Sequence, residues 1–449
     1  MSQLYVPPVV PVHQNADIEP EARSADRLSY DADVIVVGAG AAGLAARAAA
    51  ESRGFSTVLF EAQDRLGGRV WTKRDEHGVP FDLGAQFLNG DMSYALQLAR
   101  QAEAWLMPVP ATGRAIVEHD GLRIDWDDSA SFGPGKVGFD PAAILSRRKD
   151  ISAHELIGRL VEDRQEEMLT LAVVEELFGK SAVELSAKGI ADVASKWASD
   201  RRDTEFHVRD GMIALIDALA ERAKGPILLE KPVEAIEIDS NTAIVRSSQT
   251  SATGRAIVIA VPPTVAGRIS MPLEIAEEVA PYLKSYVAGD MIKATLGYSM
   301  PFWRRSGYAG GSLRLGDPQL TTLDSSRDDG SMPRLTVFVG GRSASVLATM
   351  KRESRRASIL ATLVSVFGDE AAQPETFADS VWVDHPWSGG GYNAAIRVGG
   401  QPDAGDRLMA MGGRLAFAGA EYAPAFRGFV EGALRSGERA VDQLAPVGL

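Results

Sequence analysis

Residues 33–69 read DVIVVGAGAAGLAARAAAESRGFSTVLFEAQDRLGGR. Val34–Val37 is an unbroken β-branched run, the pattern of a strand buried on both faces of a parallel sheet. Gly38, Gly40 and Gly43 follow at GxGxxG spacing and open an Ala-rich helix expected over Ala41 to Arg53. Thr57–Phe60 is a second buried run, and Glu61 closes it about 20 residues beyond the glycines. Such a unit suits a dinucleotide. Gly38 permits a tight turn, Gly40 lets the backbone approach a pyrophosphate, and Gly43 lets helix and strand pack closely. The helix N-terminus offers unpaired N–H groups and a positive dipole end to phosphates, and Glu61 would accept hydrogen bonds from ribose hydroxyls. A Gly-rich turn in an ordinary α/β domain is the plain alternative; the flanking strand, helix and acid argue against it.

A chain of 449 residues can hold two or three domains, or two lobes threaded through one another. Its 47 basic against 60 acidic residues, a net −13, disfavour nucleic acid or an anionic membrane as partner. With no cysteine, disulfides, Cys-ligated metals, redox dithiols and a thioether-linked cofactor are excluded. The six histidines form no recognisable site, so no metal site is expected. No apolar run reaches the roughly 20 residues of a membrane helix. The opening MSQLYVPPVVPVHQNADIEPEARSADRLSY lacks a basic region followed by an apolar core. It reads as a flexible arm over 1–30 rather than a signal peptide, and the expected location is cytoplasmic.

After Glu61, Arg65-Leu66-Gly67-Gly68-Arg69 suits a loop crossing the pyrophosphate, with Arg69 supplying charge, before a strand over Val70–Lys73. The segments GAGAAGL, LGGRVWT and DLGAQFLNG, with Glu61 between the first two, resemble the flavin-containing amine oxidases, the monoamine and polyamine oxidase family. Three later stretches extend the resemblance: DMIKATLGYSMPFW (290–303), WVDHPWSGGGY (382–392) and LAFAGAEYAPAFRGFVEGALRSGERA (415–440). Between Asp91 and Glu205 the composition turns helical and charged, with helices expected over Met92–Ala104, Ala153–Leu171 and Lys188–Ala198 as a cap over a substrate cavity. Asp125–Asp128 and Arg147–Lys149 read as solvated surface. His207–Ala223 reads as a turn into a helix, and Val233–Asp239, Thr242–Ser247 and Arg255–Val261 as three strands. A surface loop is expected over 316–331 and a helix over 354–367.

The resemblance implies an α/β, two-lobed fold: a Rossmann-like FAD-binding lobe with a discontinuous substrate lobe of mixed sheet and helices. The FAD-binding domain would comprise 31–87, 206–265 and 380–449, the substrate domain 88–205 and 266–379. The FAD contacts it implies are Gly38, Gly40, Ala42, Gly43, Glu61, Ala62, Gly68, Arg69, Gly84, Ala85, Gln86, Val233 at the adenine, Trp382, Gly419, Glu421 at the ribityl hydroxyls, Gly428 and Phe429. Lys293 lies in an otherwise apolar strand, which is costly unless its ammonium has a partner or loses its proton. The family role for such a lysine is to hold a water against the reactive flavin nitrogen; snorkelling from a sheet edge is the plain alternative. Tyr392 and Phe429 would face each other as an aromatic cage and, with Lys293, form the catalytic set, while Phe87 and Trp387 would join them around the substrate.

Three departures from the family pattern matter. Gly391 stands where mitochondrial monoamine oxidases carry the flavin-bonding cysteine, implying non-covalent FAD. Phe429 replaces a common tyrosine, implying a less polar cavity. The chain also ends at Leu449 without the membrane tail of those enzymes. Phe87 stands where L-amino-acid oxidases carry a carboxylate-binding arginine, although Arg114, Arg304 or Arg342 could substitute. The expected activity is oxidation of a small primary or secondary amine to an imine, with hydrolysis and reduction of dioxygen to hydrogen peroxide. Cyclic amines of the nicotine-catabolism type fit. The rivals are an L-amino-acid oxidase, a flavin dehydrogenase with another acceptor, and a non-catalytic flavin-binding protein, which Lys293 and the aromatic pair argue against. A nicotinamide-linked reductase is disfavoured because Gly340-Gly341 lacks a third glycine. A homodimer is left open.

Overall fold

The computed structural model describes residues 28–75, 78–109, 113–126, 140–327 and 329–444. The arm expected over 1–30 lies outside them, except that residues 28–30 open the first strand. Strand β1 (Leu28–Val37), helix α1 (Ala41–Ser52) and strand β2 (Thr57–Phe60) form the expected unit. β1 pairs in parallel with β2, Val34 opposite Thr57, and with strand Thr250–Ile259, Val34 opposite Ala256. The sheet runs Ile227–Leu228, β2, β1, Thr250–Ile259, Ala243–Arg246, Ala235–Ile238, and Leu415–Phe417 adds in parallel to Ile257–Ile259. One face of β1 packs under α1 and helix Val430–Leu444, the other under helices Leu273–Leu283 and Ala404–Met409. Covered on both faces, Val34–Val37 must be apolar throughout.

The turn between β1 and α1 is tight. Gly38 has φ +103°, and a Cβ on Gly43 would run into the Gly38 carbonyl. Gly43→Ala therefore has to push the start of α1 off the sheet. It is expected to lower stability by about 1–3 kcal/mol and to reduce the flavin retained on purification. Thermal unfolding and the visible-to-ultraviolet absorbance ratio read both effects, and wild-type values in both would contradict this packing.

The second sheet runs Thr376–Val381, Met291–Gly297, Arg334–Gly340, Leu320–Asp324, Tyr308–Arg314, Arg114–His119, Leu122–Trp126. It corrects two expectations. The loop foreseen over 316–331 contains the interior strand Leu320–Asp324, hidden in the sequence because it is short and flanked by Gly, Pro, Asp and Ser. The stretch between Asp91 and Glu205, read as helical and charged with no strand expected, contributes strands Arg114–His119 and Leu122–Trp126. The helix expected over Ala153–Leu171 is two, Ala153–Leu160 and Arg164–Phe178. Asp163 divides them because its carboxylate accepts the N–H groups of Gln165 and Glu166, capping the second helix. Asp127 and Asp128 of the expected acidic surface lie outside the described residues.

Candidate active site

A cavity of about 410 Å³ starts at Val37 and Phe60, where β1 and β2 end, and continues to the second sheet at Lys293, Thr322 and Phe338. This is the position an open parallel sheet offers to a ligand. Gly38, Gly40, Ala42, Glu61, Ala62, Gly68, Arg69, Gly84, Ala85, Gln86, Phe87, Val233, Lys293, Trp382, Trp387, Tyr392, Gly419, Gly428 and Phe429 all line it. Gly43 and Glu421 do not: Gly43 lies under the turn, and Glu421 lies behind Arg69.

At the β1–α1 end, α1 begins at Gly40 with no side-chain cap and no acid in its first turn. Its first N–H groups and dipole therefore call for an anion. Glu61 is buried; Oε2 accepts the Ala39 N–H at 2.7 Å and Oε1 the Gln63 N–H at 2.8 Å. Burial pushes its carboxyl above the ordinary range. The second glycine loop is tied to the first by the Gly67 N–H, which donates to the Ala39 carbonyl at 2.9 Å. An uncapped helix start flanked by two glycine loops and a buried acid fits a dinucleotide.

Midway along, Arg69 lines the cavity and is also bonded within the protein. Its guanidinium grips Glu421 through two bonds, Nη1–Oε1 at 2.6 Å and Nη2–Oε2 at 3.0 Å, and Nη1 also donates to the Tyr392 carbonyl at 2.9 Å. The Ala394 N–H donates to Glu421 Oε1 at 3.0 Å. Burial alone would raise the Glu421 carboxyl, but Arg69 and that N–H hold it below the usual carboxylate range. Glu421, expected at ribityl hydroxyls, thus has its carboxylate committed to Arg69, and Arg69 joins the glycine loop to the Tyr392 backbone.

Lys293 is 2% exposed and sits in an interior strand, opposite Phe338 on one side and Ser380 on the other, which removes the sheet-edge alternative. Its Nζ donates to the Gly84 carbonyl at 2.7 Å and lies 5.6 Å from the Phe338 ring centre. Burial pushes its ammonium below the ordinary lysine range, opposed by the nearby Asp82 carboxylate, which burial pushes upward. Asp82 accepts from the Thr72 hydroxyl and from the Met212 N–H at 3.0 Å. Beside this pair, Trp382 Nε1 donates to the Leu83 carbonyl at 2.9 Å.

Tyr392 and Phe429 line the same cavity, and each ring is backed by a different aromatic. Tyr392 meets Phe338 edge-on at 5.7 Å, and Phe429 lies 4.9 Å from Trp197. Phe87 packs on Phe338 at 6.3 Å. Trp387, expected beside the cage, is 40% exposed, and its neighbour Pro386 accepts from Arg268 at 3.0 Å. It lines the same cavity as Tyr392 and Phe429.

Sequence reading assigned no role to Glu176 and Asp203, which also line the cavity. The Tyr392 hydroxyl donates to Glu176 Oε1 at 2.7 Å. Burial pushes the Glu176 carboxyl up to about 7, with Asp203 adding to the rise and Tyr392 opposing it; burial likewise raises Asp203 to about 6. The one local signal for Glu176 is its place one helical turn after buried Ala172. Asp203, in SDRRDTEF, looks like any solvated charge.

Because the folded state holds a proton on Glu176 that the unfolded chain has already released, stability falls as pH rises from the ordinary carboxylate range to about 7. In ligand-free protein, Glu176→Gln is accordingly expected to be nearly neutral at low pH. Above neutrality it should stabilise by about 1–3 kcal/mol. Thermal unfolding of both proteins on either side of that window measures the difference; equal shifts at both ends would refute it.

Residues 41–445 match the family described as flavin containing amine oxidoreductase, and the chain belongs to that family. It is an oxidoreductase acting on amines, with a flavin cofactor. An L-amino acid dehydrogenase of Synechocystis sp. is 28% identical, over 92% of this chain and 94% of that one. The flavin-containing amine oxidase B of Bos taurus is 25% identical, over 93% and 86%. Among solved structures, cyclohexylamine oxidase from Brevibacterium oxydans IH-35A superposes with a TM-score of 0.80, at 26% identity over 93% of this chain and 99% of that one. No helix among the described residues is long and apolar enough to cross a membrane.

Proposed function

We propose that the chain is an FAD-dependent oxidase of small primary or secondary amines. The amine leaves as an imine that water hydrolyses to an aldehyde or ketone, and dioxygen becomes hydrogen peroxide. The observation that carries this reading is one cavity joining the uncapped start of α1 to a buried lysine and an aromatic wall. In it, Gly38, Gly40, Ala42, Gly68 and the α1 N-terminus would hold the diphosphate, and Glu61, Ala62 and Val233 the adenosine. Gly84, Ala85, Gln86, Trp382, Gly419, Gly428 and Phe429 would hold the remainder. Binding is non-covalent, since the chain has no cysteine and Gly391 lines the cavity. On this reading the FAD lobe is 31–87, 206–265 and 380–449, and the substrate lobe 88–205 and 266–379.

Held by those residues, a flavin would supply the acceptor for a hydride from the carbon beside the amine nitrogen and the route for its electrons to dioxygen. Tyr392 and Phe429 orient the amine without offering a carboxylate that would keep its nitrogen protonated. The apolar lining excludes water from the reacting carbon, and Lys293, beside the Gly84 carbonyl and the Phe338 ring, would hold a water against the flavin.

The Synechocystis relative supports a second reading, dehydrogenation of L-amino acids. A substrate carboxylate needs a cation, yet of those lining the cavity Arg69 is tied to Glu421, Arg427 to Asp192 and Asp406, Lys293 to the Gly84 carbonyl and Arg268 to the Pro386 carbonyl, and Lys231 belongs to the Glu61 end. Arg114, Arg304 and Arg342 do not line the cavity. The deciding experiment mixes the purified yellow protein anaerobically with amines and with amino acids. Bleaching by amines and recovery in air, with flavin released by acid, supports the oxidase. Bleaching by amino acids alone, or slow recovery in air, supports the dehydrogenase. A colourless protein that cannot be reconstituted with FAD sinks both.

A further inference from the structure

Tyr392 runs between two ends of the cavity. Its backbone carbonyl accepts from Arg69 on the glycine-loop side, and its hydroxyl donates to Glu176 on the other. Glu176 comes from helix Arg164–Phe178 and Asp203 from the segment before strand Phe206–Val208, so two distant parts of the chain deliver carboxyl groups to one place. Both line the cavity, and the Asp203 charge adds to the rise at Glu176. The two hydrogen bonds to Glu176, from Tyr392 and from Thr321, go to the same oxygen, Oε1. Part of Asp203 reaches solvent, but its Oδ1 does not, and that atom has no hydrogen-bond partner.

A shielded carboxylate oxygen without a donor is costly, and two neighbouring carboxyls resist ionising together. A bound cation removes both penalties. Of the cationic side chains lining the cavity, Arg69 is held by Glu421, Arg427 by Asp192 and Asp406, Lys293 by the Gly84 carbonyl and Arg268 by the Pro386 carbonyl, while Lys231 belongs to the Glu61 end, where its backbone N–H donates to the Glu61 carbonyl. Arg202 lies near Asp203 but does not line the cavity. The cation has to arrive with the ligand.

We infer that Glu176 and Asp203 form an ammonium-binding subsite, and that the preferred substrate is a diamine whose unreacted nitrogen is held there in its protonated form. This rests on the amine-oxidase reading above. The two nitrogens then meet opposite environments. The reacting one sits against aromatic faces and sheds its proton; the other sits against carboxylates that keep its proton on. A monoamine of the same length leaves the Asp203 oxygen without a donor, and such an unpaired group is what rejects the wrong substrate.

The test uses the flavin-loaded protein and compares kcat/KM for diaminobutane and diaminopentane with butylamine and pentylamine. The diamines are expected to be better by about tenfold or more. Glu176→Gln and Asp203→Asn are each expected to shrink that ratio by about tenfold, mainly through the KM for the diamine. If Glu176→Gln does not fold, Asp203→Asn alone decides. Wild-type protein that oxidises the monoamines as well as the diamines overturns the subsite and leaves the oxidase reading standing. So does a ratio untouched in the folded variants. If no amine bleaches the flavin, the oxidase reading falls and the subsite with it.

Discussion

Glu421→Ala is expected to yield protein that has lost most of its flavin and about 3–5 kcal/mol of stability. The carboxylate is 2% exposed and receives both arms of Arg69 together with the Ala394 N–H. Alanine leaves a guanidinium in a mostly buried position with no counter-charge and an N–H with no acceptor, and breaking one side of a buried pair costs far more than the pair contributes net. Because Arg69 also donates to the Tyr392 carbonyl, losing its anchor loosens the aromatic wall and the glycine loop together. The pH dependence has a definite sign. Glu421 sits below the usual carboxylate range, so its contribution is present above the unfolded-state value and is lost as pH falls through the folded one. Denaturant unfolding and the flavin-to-protein absorbance ratio measure the effect, and Glu421→Gln, which keeps an acceptor, should be milder. Full flavin content with unchanged stability in the alanine variant would show that the pair holds nothing.

Lys293→Met is expected to keep its flavin and its fold while slowing flavin turnover about 100-fold or more. Methionine fills the volume of the lysine stem in an interior strand, and it removes a charge that burial itself disfavours. Asp82 retains the Thr72 hydroxyl and the Met212 N–H. What disappears is the one ammonium at that wall, near the Gly84 carbonyl and the Phe338 ring. Stopped-flow measurement of flavin reduction and reoxidation separates the two half-reactions. Wild-type rates in both would remove Lys293 from the chemistry.

The readable parts of this protein are those whose cause is local. Four consecutive β-branched residues, three glycines at fixed spacing and an Ala-rich run specify β1, the turn and α1, because periodicity and backbone freedom act within a few residues. The same locality made the strand around Lys293 visible: a single charge stands out in an apolar run. Where local signals conflict or are short, reading fails. LTTLD between turn residues became a loop on paper and an interior strand in the fold, because its pairing with Arg334–Gly340 and Tyr308–Arg314 supplies what its own length lacks.

By itself, then, the chain's order of residues determined a β–α–β unit with a glycine-rich turn and a lysine in an apolar strand. Only the tertiary structure decided who partners whom. Arg69 finds Glu421 across 352 positions and Tyr392 finds Glu176 across 216. The single local sign at Glu176 is its place one helical turn after buried Ala172, and Glu421 stood out through a resemblance rather than through its neighbours in sequence. Their character comes from burial, which makes a carboxylate depend on the few donors within reach, and those donors are set by which strands and helices the fold brings side by side.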